Sequence, residues 1–336
     1  MASFVEVVAL LESAQDLTRL QAADALSEIL DGAVSAEDTK RWLVALAAKG
    51  ETASEMSGFI DAMMAAATTF AVDENAMDIV GTGGDRLHSV NISTMAALTV
   101  AGCGVPVAKH GNRAASSSVG TADVLEALGV KLDPGPDKVR ECVEKAGIGF
   151  CFAPSFHPGL RHLAPIRREL GIPTAFNVLG PLANPAEVRR LLIGVANPDW
   201  MGRMAEVIQD RPIDMALLVH ADDGLDELSL GSPSTLLHVS AQSVGSWRFD
   251  PATLGLHHDT DSIRGGDITV NVAAVKSYLD GTPGAIFDTV IANAGLALTV
   301  AGLAESIDDG RALATKSVVS GRAAVALHKL IEVSNS

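Results

Sequence analysis

The sequence predicts an α/β protein: a small helical domain followed by a larger α/β domain with a mostly parallel central sheet and flanking helices. Two changes of pattern carry this expectation. From Val5 to Phe70 apolar residues recur at helical spacing, and beyond Phe70 short apolar strands alternate with helical runs. Composition agrees, because apolar residues make up 48% of the chain but aromatics only 4%. A core of Ala, Val, Leu and Gly suits helices packed closely on a parallel sheet.

In the first region Leu17, Leu20, Ala23, Leu26, Ile29 and Leu30 lead to Trp42, Leu43 and Leu46, then to Phe59, Ile60, Met63 and Met64. Asp31-Gly32 and Lys49-Gly50 break the run into separate helices, with Ser35 and Ser54 as expected N-caps. Strands are expected at Asp78–Val80, Val105–Ala108, Ile148–Phe152, Leu191–Val195 and Met215–Val219, and near Ser246–Phe249. Helices are expected around Met95–Ala101, Val124–Leu128, Met201–Gln209, Val272–Leu279 and Ile291–Leu303, with Phe287–Val290 opening the last of these. Residues 240–265 carry no clear pattern beyond the one strand. Pro173, Pro181 and Pro185 punctuate a stretch in which the chain is expected to cross back to the helical domain. The expected division is therefore 1–72, with roughly 165–190 crossing back, against 73–164 and 191–336.

Asp78 to Val130 is the chemically dense part of the chain. The strand at Asp78–Val80 runs into Gly81-Thr82-Gly83-Gly84-Asp85, whose glycines let the backbone turn sharply and present N–H groups to an anion. Asn91-Ile92-Ser93-Thr94 supplies N-cap chemistry before an apolar helix, and a helix N-terminus attracts phosphate. The second strand ends at Lys109-His110-Gly111-Asn112-Arg113, and a hydroxyl-rich stretch, Ser116-Ser117-Ser118-Val119-Gly120-Thr121, opens the next helix. A single glycine turn is only a tight turn. Three strand-to-helix edges converging in this way point to one bound anion. The spacing matches neither the dinucleotide fingerprint nor the P-loop.

The formal charge of −16 disfavours nucleic acid and anionic membranes as partners, so a phosphate site has to be a local basic island. Lys109 with Arg113 and the Arg161–Arg168 stretch are such islands, while Arg189-Arg190 reads as a solvated face. Cys103, Cys142 and Cys151 lack metal-ligand spacing and read as reduced core residues. With Glu6 where a basic leader would stand, and no apolar stretch of roughly 20 residues to span a bilayer, a cytoplasmic protein is expected. Asp226-Glu227, with Asp222 and Asp223 nearby, offers hard oxygen ligands of the kind magnesium takes together with substrate phosphates. The same acids could also simply decorate a helix N-terminus.

The order of these motifs resembles the anthranilate phosphoribosyltransferase family over nearly the whole chain. The resemblance extends to Phe150-Cys151-Phe152-Ala153-Pro154 with His157-Pro158, to Pro165–Gly171, to Phe176–Pro185, to Asp223–Ser229, and to Gly265-Gly266-Asp267 with Asn271. It implies transfer of the phosphoribosyl group of 5-phosphoribosyl 1-pyrophosphate (PRPP) to anthranilate in tryptophan biosynthesis, with Mg²⁺ as cofactor and a homodimer formed through the helical domain. By the same resemblance Gly81, Gly84, Asp85, Ser89, Asn91, Ile92, Ser93 and Thr94 face PRPP, as do Lys109, His110, Gly111, Asn112, Arg113, Ala114, Ala115, Ser116, Ser117 and Thr121. Gly81, Asn112, His157 and Arg167 face anthranilate, and Ser93, Asp226 and Glu227 serve magnesium. Arginine suits a planar carboxylate because of its forked donors. The resemblance further implies that Lys109 stabilises charge on the leaving pyrophosphate. Arg86, Ser89 and Thr121 depart from the usual family residues without removing a required group. Pyrimidine nucleoside phosphorylases share the motif order, but Asn112 and the acidic pair favour a magnesium–pyrophosphate substrate.

Overall fold

In a computed structural model, which describes residues 3–114 and 118–336, the chain forms a helical domain and a larger α/β domain around one mostly parallel sheet. The helical domain comprises α1 (Phe4–Glu12), α2 (Arg19–Leu30), α3 (Ala36–Lys49) and α4 (Ala53–Ala65). Each starts at a hydroxyl side chain that accepts a backbone N–H, at Ser3, Thr18, Ser35 and Thr52, which satisfies one otherwise orphaned donor. The cap of α4 is thus Thr52 and not Ser54. Thr52 gains a reciprocal capping box with Glu55, an arrangement Ser54 cannot make from inside the first turn.

The α/β domain then runs β1 (Met77–Gly81), α5 (Ile92–Gly102), β2 (Val107–Gly111), α6 (Thr121–Ala127), α7 (Pro136–Ala146), β3 (Ile148–Phe152), α8 (Ala153–Phe156) and α9 (Ala164–Leu170). After the crossing segment come β4 (Arg190–Gly194), α10 (Met201–Gln209), β5 (Met215–Ala221), β6 (Ser234–Val239), β7 (Val244–Phe249) and four helices. These are α11 (Ile268–Leu279), α12 (Ala285–Val300), α13 (Ile307–Val319) and α14 (Arg322–Asn335).

The strand order is β3-β2-β1-β4-β5-β6-β7, parallel from β3 to β5 and antiparallel at β6 and β7. The chain first builds outward from β1 to β3 and then restarts on the other flank with β4. The β1–β4 junction is therefore the topological switch point, where a crevice opens beyond the strands' C-terminal ends. β2 begins and ends later than the sequence suggested, because Lys109 and His110 pair with Phe150 and Cys151 of β3 and so lie inside the strand. β6 lies in a stretch given no element from the sequence, and β7 covers Val244–Phe249 within the unpatterned 240–265 region.

Alternate residues of the strands serve two cores. Leu192 and Leu217 pack with α5 and α12, whereas Leu191, Ile193 and Leu218 share a core with the helical domain. The crossing segment joins that second core through Phe176, whose ring lies 5.9 Å from Trp42 and 5.4 Å from Phe59. The segment after β3 is thus packed into the helical domain and bridges the two parts of the fold.

Candidate active site

The C-terminal ends of β1 and β4 stop at Gly81 and Gly194, which are register partners. A Cβ at Gly81 would lie 2.4 Å from Asp226 Oδ2, and one at Gly194 would lie 1.5 Å from the Asp226 carbonyl oxygen. Both glycines are needed so that the loop after β5 can lay Asp226 across the switch point. Once there, Asp226 Oδ2 accepts the Gly83 N–H at 2.7 Å, which fixes the glycine turn. Gly83 and Gly84 have φ of 67° and 88°, a conformation few side chains tolerate, and the space around each is open.

Lys109 comes up between the strands with only 1% of its surface exposed, and its Nζ donates to the Ile79 carbonyl at 2.5 Å and to Ser93 Oγ at 3.3 Å. Burial lowers its pKa, and the charges of Asp78 and Glu227 work against that. Burial pushes Asp226 up to about 6, reinforced by Asp85 and opposed by the Gly83 N–H. Glu227 is raised well above its usual value, first by burial and then by Asp226 and Asp85. The carboxyl groups in this cluster outnumber the one buried ammonium.

The donor chemistry fits magnesium. Asp226, Glu227 and the Ser93 hydroxyl are hard oxygens, and burial, then the neighbouring acids, raises the pKa of both carboxylates. Among the described residues no group of three or more His, Cys, Asp and Glu side chains forms a complete metal cage. An ion held here therefore needs oxygens from a substrate, the usual situation for magnesium with phosphates. The neighbouring acids are engaged elsewhere. Asp222 pairs with Arg248, and Asp223 Oδ2 accepts Ser229 Oγ at 2.6 Å and Thr260 Oγ1 at 2.5 Å.

The second phosphate edge is α5. Asn91 stands at its N-cap position without capping it. Instead Asn91 Nδ2 donates to the Val119 carbonyl at 3.2 Å and Oδ1 accepts Asn271 Nδ2 at 2.9 Å, tying the loops before α5 and α6 to the first turn of α11. Asn91 itself therefore does not cap the first turn of α5, whose Ser93 N–H instead faces the Glu227 carboxylate, an acceptor drawn to a helix N-terminus as a phosphate would be. Thr94 and Thr121 hydroxyls lie 3.3 Å apart, and Ser89 forms an antiparallel bridge with Arg264.

At the third edge Asn112 is exposed, and the Arg113 guanidinium pairs with Asp123 at 2.9 Å and Glu126 at 2.8 Å. Ala114 N–H also donates to Asp123, at 3.0 Å. Ala115, Ser116 and Ser117 lie outside the described residues. His110 and His157 both turn inward, with 5% and 4% of their surfaces exposed and their rings 5.6 Å apart. Because carbonyls only accept, His110 Nδ1–H donates to Gly180 O at 3.1 Å and His157 Nε2–H to Ala183 O at 2.8 Å. Both side chains thus grip the crossing segment.

Arg167 on α9 lies over the Phe176 ring at 5.6 Å and reaches Asn177 Oδ1 at 3.4 Å. It has no carboxylate within ion-pair distance among the described residues, unlike Arg19, Arg113 or Arg248. The sequence reading gave no role to Asp78, which is fully buried, or to Asn184. A carboxylate inside the apolar run of β1 was the available signal.

Backbone N–H groups, a buried ammonium and hard oxygens gathered at a switch point are the arrangement expected of an enzyme that handles a phosphorylated substrate. Family models described as "Glycosyl transferase family, a/b domain" and "Glycosyl transferase family, helical bundle domain" match residues 73–324 and 6–67. The chain belongs to this glycosyl transferase family, and within it to the anthranilate phosphoribosyltransferases. It is 43% identical over 335 residues to the anthranilate phosphoribosyltransferase of Rhodopseudomonas palustris (strain HaA2), covering 99% of each chain. The crystal structure of the Thermus thermophilus anthranilate phosphoribosyltransferase superposes with a TM-score of 0.92 at 38% identity, covering 98% of this chain and 99% of that one. The Saccharomyces cerevisiae enzyme in complex with PRPP and Mg gives a TM-score of 0.90 at 26% identity, covering 99% and 98%.

Proposed function

We propose that the protein transfers the phosphoribosyl group of PRPP to the amino nitrogen of anthranilate, giving N-(5-phosphoribosyl)anthranilate and pyrophosphate in tryptophan biosynthesis. The observation that supports it best is the convergence of buried Lys109, Ser93, Asp226 and Glu227 where β1 and β4 end. The C1–O bond to pyrophosphate breaks and its electron pair leaves with pyrophosphate. The amine lone pair forms the new C–N bond, and the nitrogen then gives up a proton to solvent.

Positive charge develops on the ribose ring and negative charge on the leaving group, so the protein's task is positioning and electrostatics. Lys109 presents a dry ammonium to the leaving pyrophosphate, where its charge is screened less than in water. Gly84, Asp85, Ser89 and the Asn91–Thr94 turn bind the phosphates through backbone N–H groups and hydroxyls. Gly111, Asn112, Arg113, Ala114 and Thr121 line the third edge. Asp226, Glu227 and Ser93 would hold magnesium, which when bound supplies positive charge to the pyrophosphate oxygens. Arg167 receives the anthranilate carboxylate, with Asn112 and the Gly81 backbone beside the acceptor and His157 setting the wall behind it. The anthranilate amine carries its own lone pair, so no strong general base is required. His110 and His157, buried and committed to carbonyls, do not serve as one.

The same reading makes the protein a cytoplasmic homodimer joined through the helical domain. The exposed apolar side chains Val5, Leu20 and Val44 on α1–α3 support the dimer, and three free thiols support a reducing compartment. The test is loss of anthranilate fluorescence on adding PRPP and Mg²⁺. Fluorescence should fall only when both are present, and an unchanged signal with active, folded protein would overturn the reading.

A further inference from the structure

The β1–β2 junction is built differently from its neighbours. β1 pairs with β4 along its whole length, from Met77↔Arg190 to Gly81↔Gly194, and β2 pairs with β3 from Val107↔Ile148 to Gly111↔Phe152. Between β1 and β2 the register holds only at Met77↔Val107. Beyond that point side chains replace the ladder. Asp78 Oδ1 accepts the His110 N–H at 3.1 Å, and Asn184 Nδ2 donates to both Ala108 O and Asp78 Oδ2 at 2.8 Å. The Ile79 carbonyl is taken by Lys109 Nζ at 2.5 Å.

Backbone groups that a parallel ladder would satisfy without any charge are therefore served by a carboxylate, an amide and an ammonium, with Asp78, Asn184 and Lys109 at 0%, 5% and 1% exposure. Burying such groups is costly unless they are fully paired. Burial pushes Asp78 up to about 6, with Lys109 and Asn184 the largest opposing influences. What the open seam provides is passage: the lysine of a central strand runs between β1 and β2 and brings its ammonium to Ser93 at the ligand edge. Asn184 comes from the crossing segment, and its Oδ1 accepts the Ala186 N–H at 2.9 Å, so the plug is anchored at both ends.

We propose that Asp78 and Asn184 are positioning residues for Lys109, holding the β1–β2 seam open and fixing the ammonium within it. Asn184 makes that position depend on the segment that crosses from the helical domain. The proposal rests on the reading of Lys109 as the leaving-group cation.

The test measures kcat per binding-competent site, with sites counted by PRPP–Mg²⁺ titration calorimetry, and KM for anthranilate, in Asp78→Asn, Asn184→Ala, their combination and Lys109→Ala. We expect kcat per site to fall about tenfold in Asp78→Asn and severalfold in Asn184→Ala, with the anthranilate KM within about twofold of wild type. The combination should lose little more than Asp78→Asn alone, since both act through one lysine. A merely structural role would reduce the number of competent sites and the melting temperature but leave kcat per site unchanged, and that result overturns the proposal. Multiplicative losses in the combination overturn it as well. If Asp78→Asn does not fold, Asn184→Ala decides on the same criterion. Wild-type kcat in Lys109→Ala would instead refute the role of Lys109 itself, whereas loss there with wild-type kcat per site in both seam variants refutes only the seam.

Discussion

Lys109 and Arg167 are both cations at the candidate site, and the fold treats them in opposite ways. Lys109 rises from a central strand, is almost fully buried, and has its donors committed to Ile79 O and Ser93 Oγ beside Asp226 and Glu227. Arg167 sits on the short helix α9, half-buried, steadied by the Phe176 ring and a long contact to Asn177, with no carboxylate partner among the described residues. On the proposed reading the difference has a reason: a charge that acts on a transition state is best preorganised in a dry, rigid frame. A charge that receives a ligand's carboxylate is better left without an ion pair, so that binding does not have to break one.

The largest effect that sharpens this contrast is expected at Lys109. Lys109→Ala should lower kcat by about 10²–10³-fold, the range seen when one preorganised donor to a developing charge is removed. Pre-steady-state rates would check it, and a loss confined to KM would blur the distinction between the two cations. Next comes Asp226→Asn with Glu227→Gln, which should weaken magnesium activation by about two orders of magnitude while leaving the fold intact. An unchanged magnesium titration would remove the acidic pair from the phosphate side of the comparison.

A smaller effect concerns the histidines between the two regions. Burial, then the neighbouring His157, pushes His110 down to about 3 from a usual 6.5. Its unfolded form therefore binds more protons across that interval, so its contribution to stability is present above about pH 6.5 and is lost as pH falls toward 3. Asp78, raised to about 6, acts with the opposite sign between about pH 4 and 6 and offsets part of this loss. Removing His110 takes away its own contribution and leaves those of Asp78 and the other shifted groups in place. His110→Gln should thus lose less stability than wild type between pH 7.5 and 4.5, by up to about 2–3 kcal/mol in urea unfolding. Equal losses would mean that His110 is not buried neutral.

The two regions also differ in how far the sequence revealed them. Gly81–Asp85, the Asn91–Thr94 turn and the run around Lys109 were legible as candidates because three glycine- and hydroxyl-rich edges follow one another within about fifty residues, and β1, β3, β4 and β5 stood out as apolar runs. Periodicity could not show that β2 extends through Lys109 and His110, since that follows from pairing with β3. Nor could it show Asp78 and Asn184 meeting across 106 residues of sequence. The partners of Asp222 and Asp223 were hidden for a similar reason: Arg248 and Thr260 come from residues 240–265, where only the strand around Arg248 was readable. On the acceptor side the prolines marked the crossing, but the packing of Phe176 against Trp42 and Phe59 that sets α9 in place is tertiary.

The division of labour between the two cations is tested most directly by steady-state kinetics of Arg167→Ala with each substrate varied in turn. Loss of one charge-assisted contact, worth about 1.5–3 kcal/mol, should raise the anthranilate KM by roughly one to two orders of magnitude. The PRPP KM should stay within about twofold of wild type, because Lys109 and the acidic pair are untouched. A rise mainly in the PRPP KM would contradict the account, placing Arg167 on the phosphate side and leaving the anthranilate carboxylate without its partner.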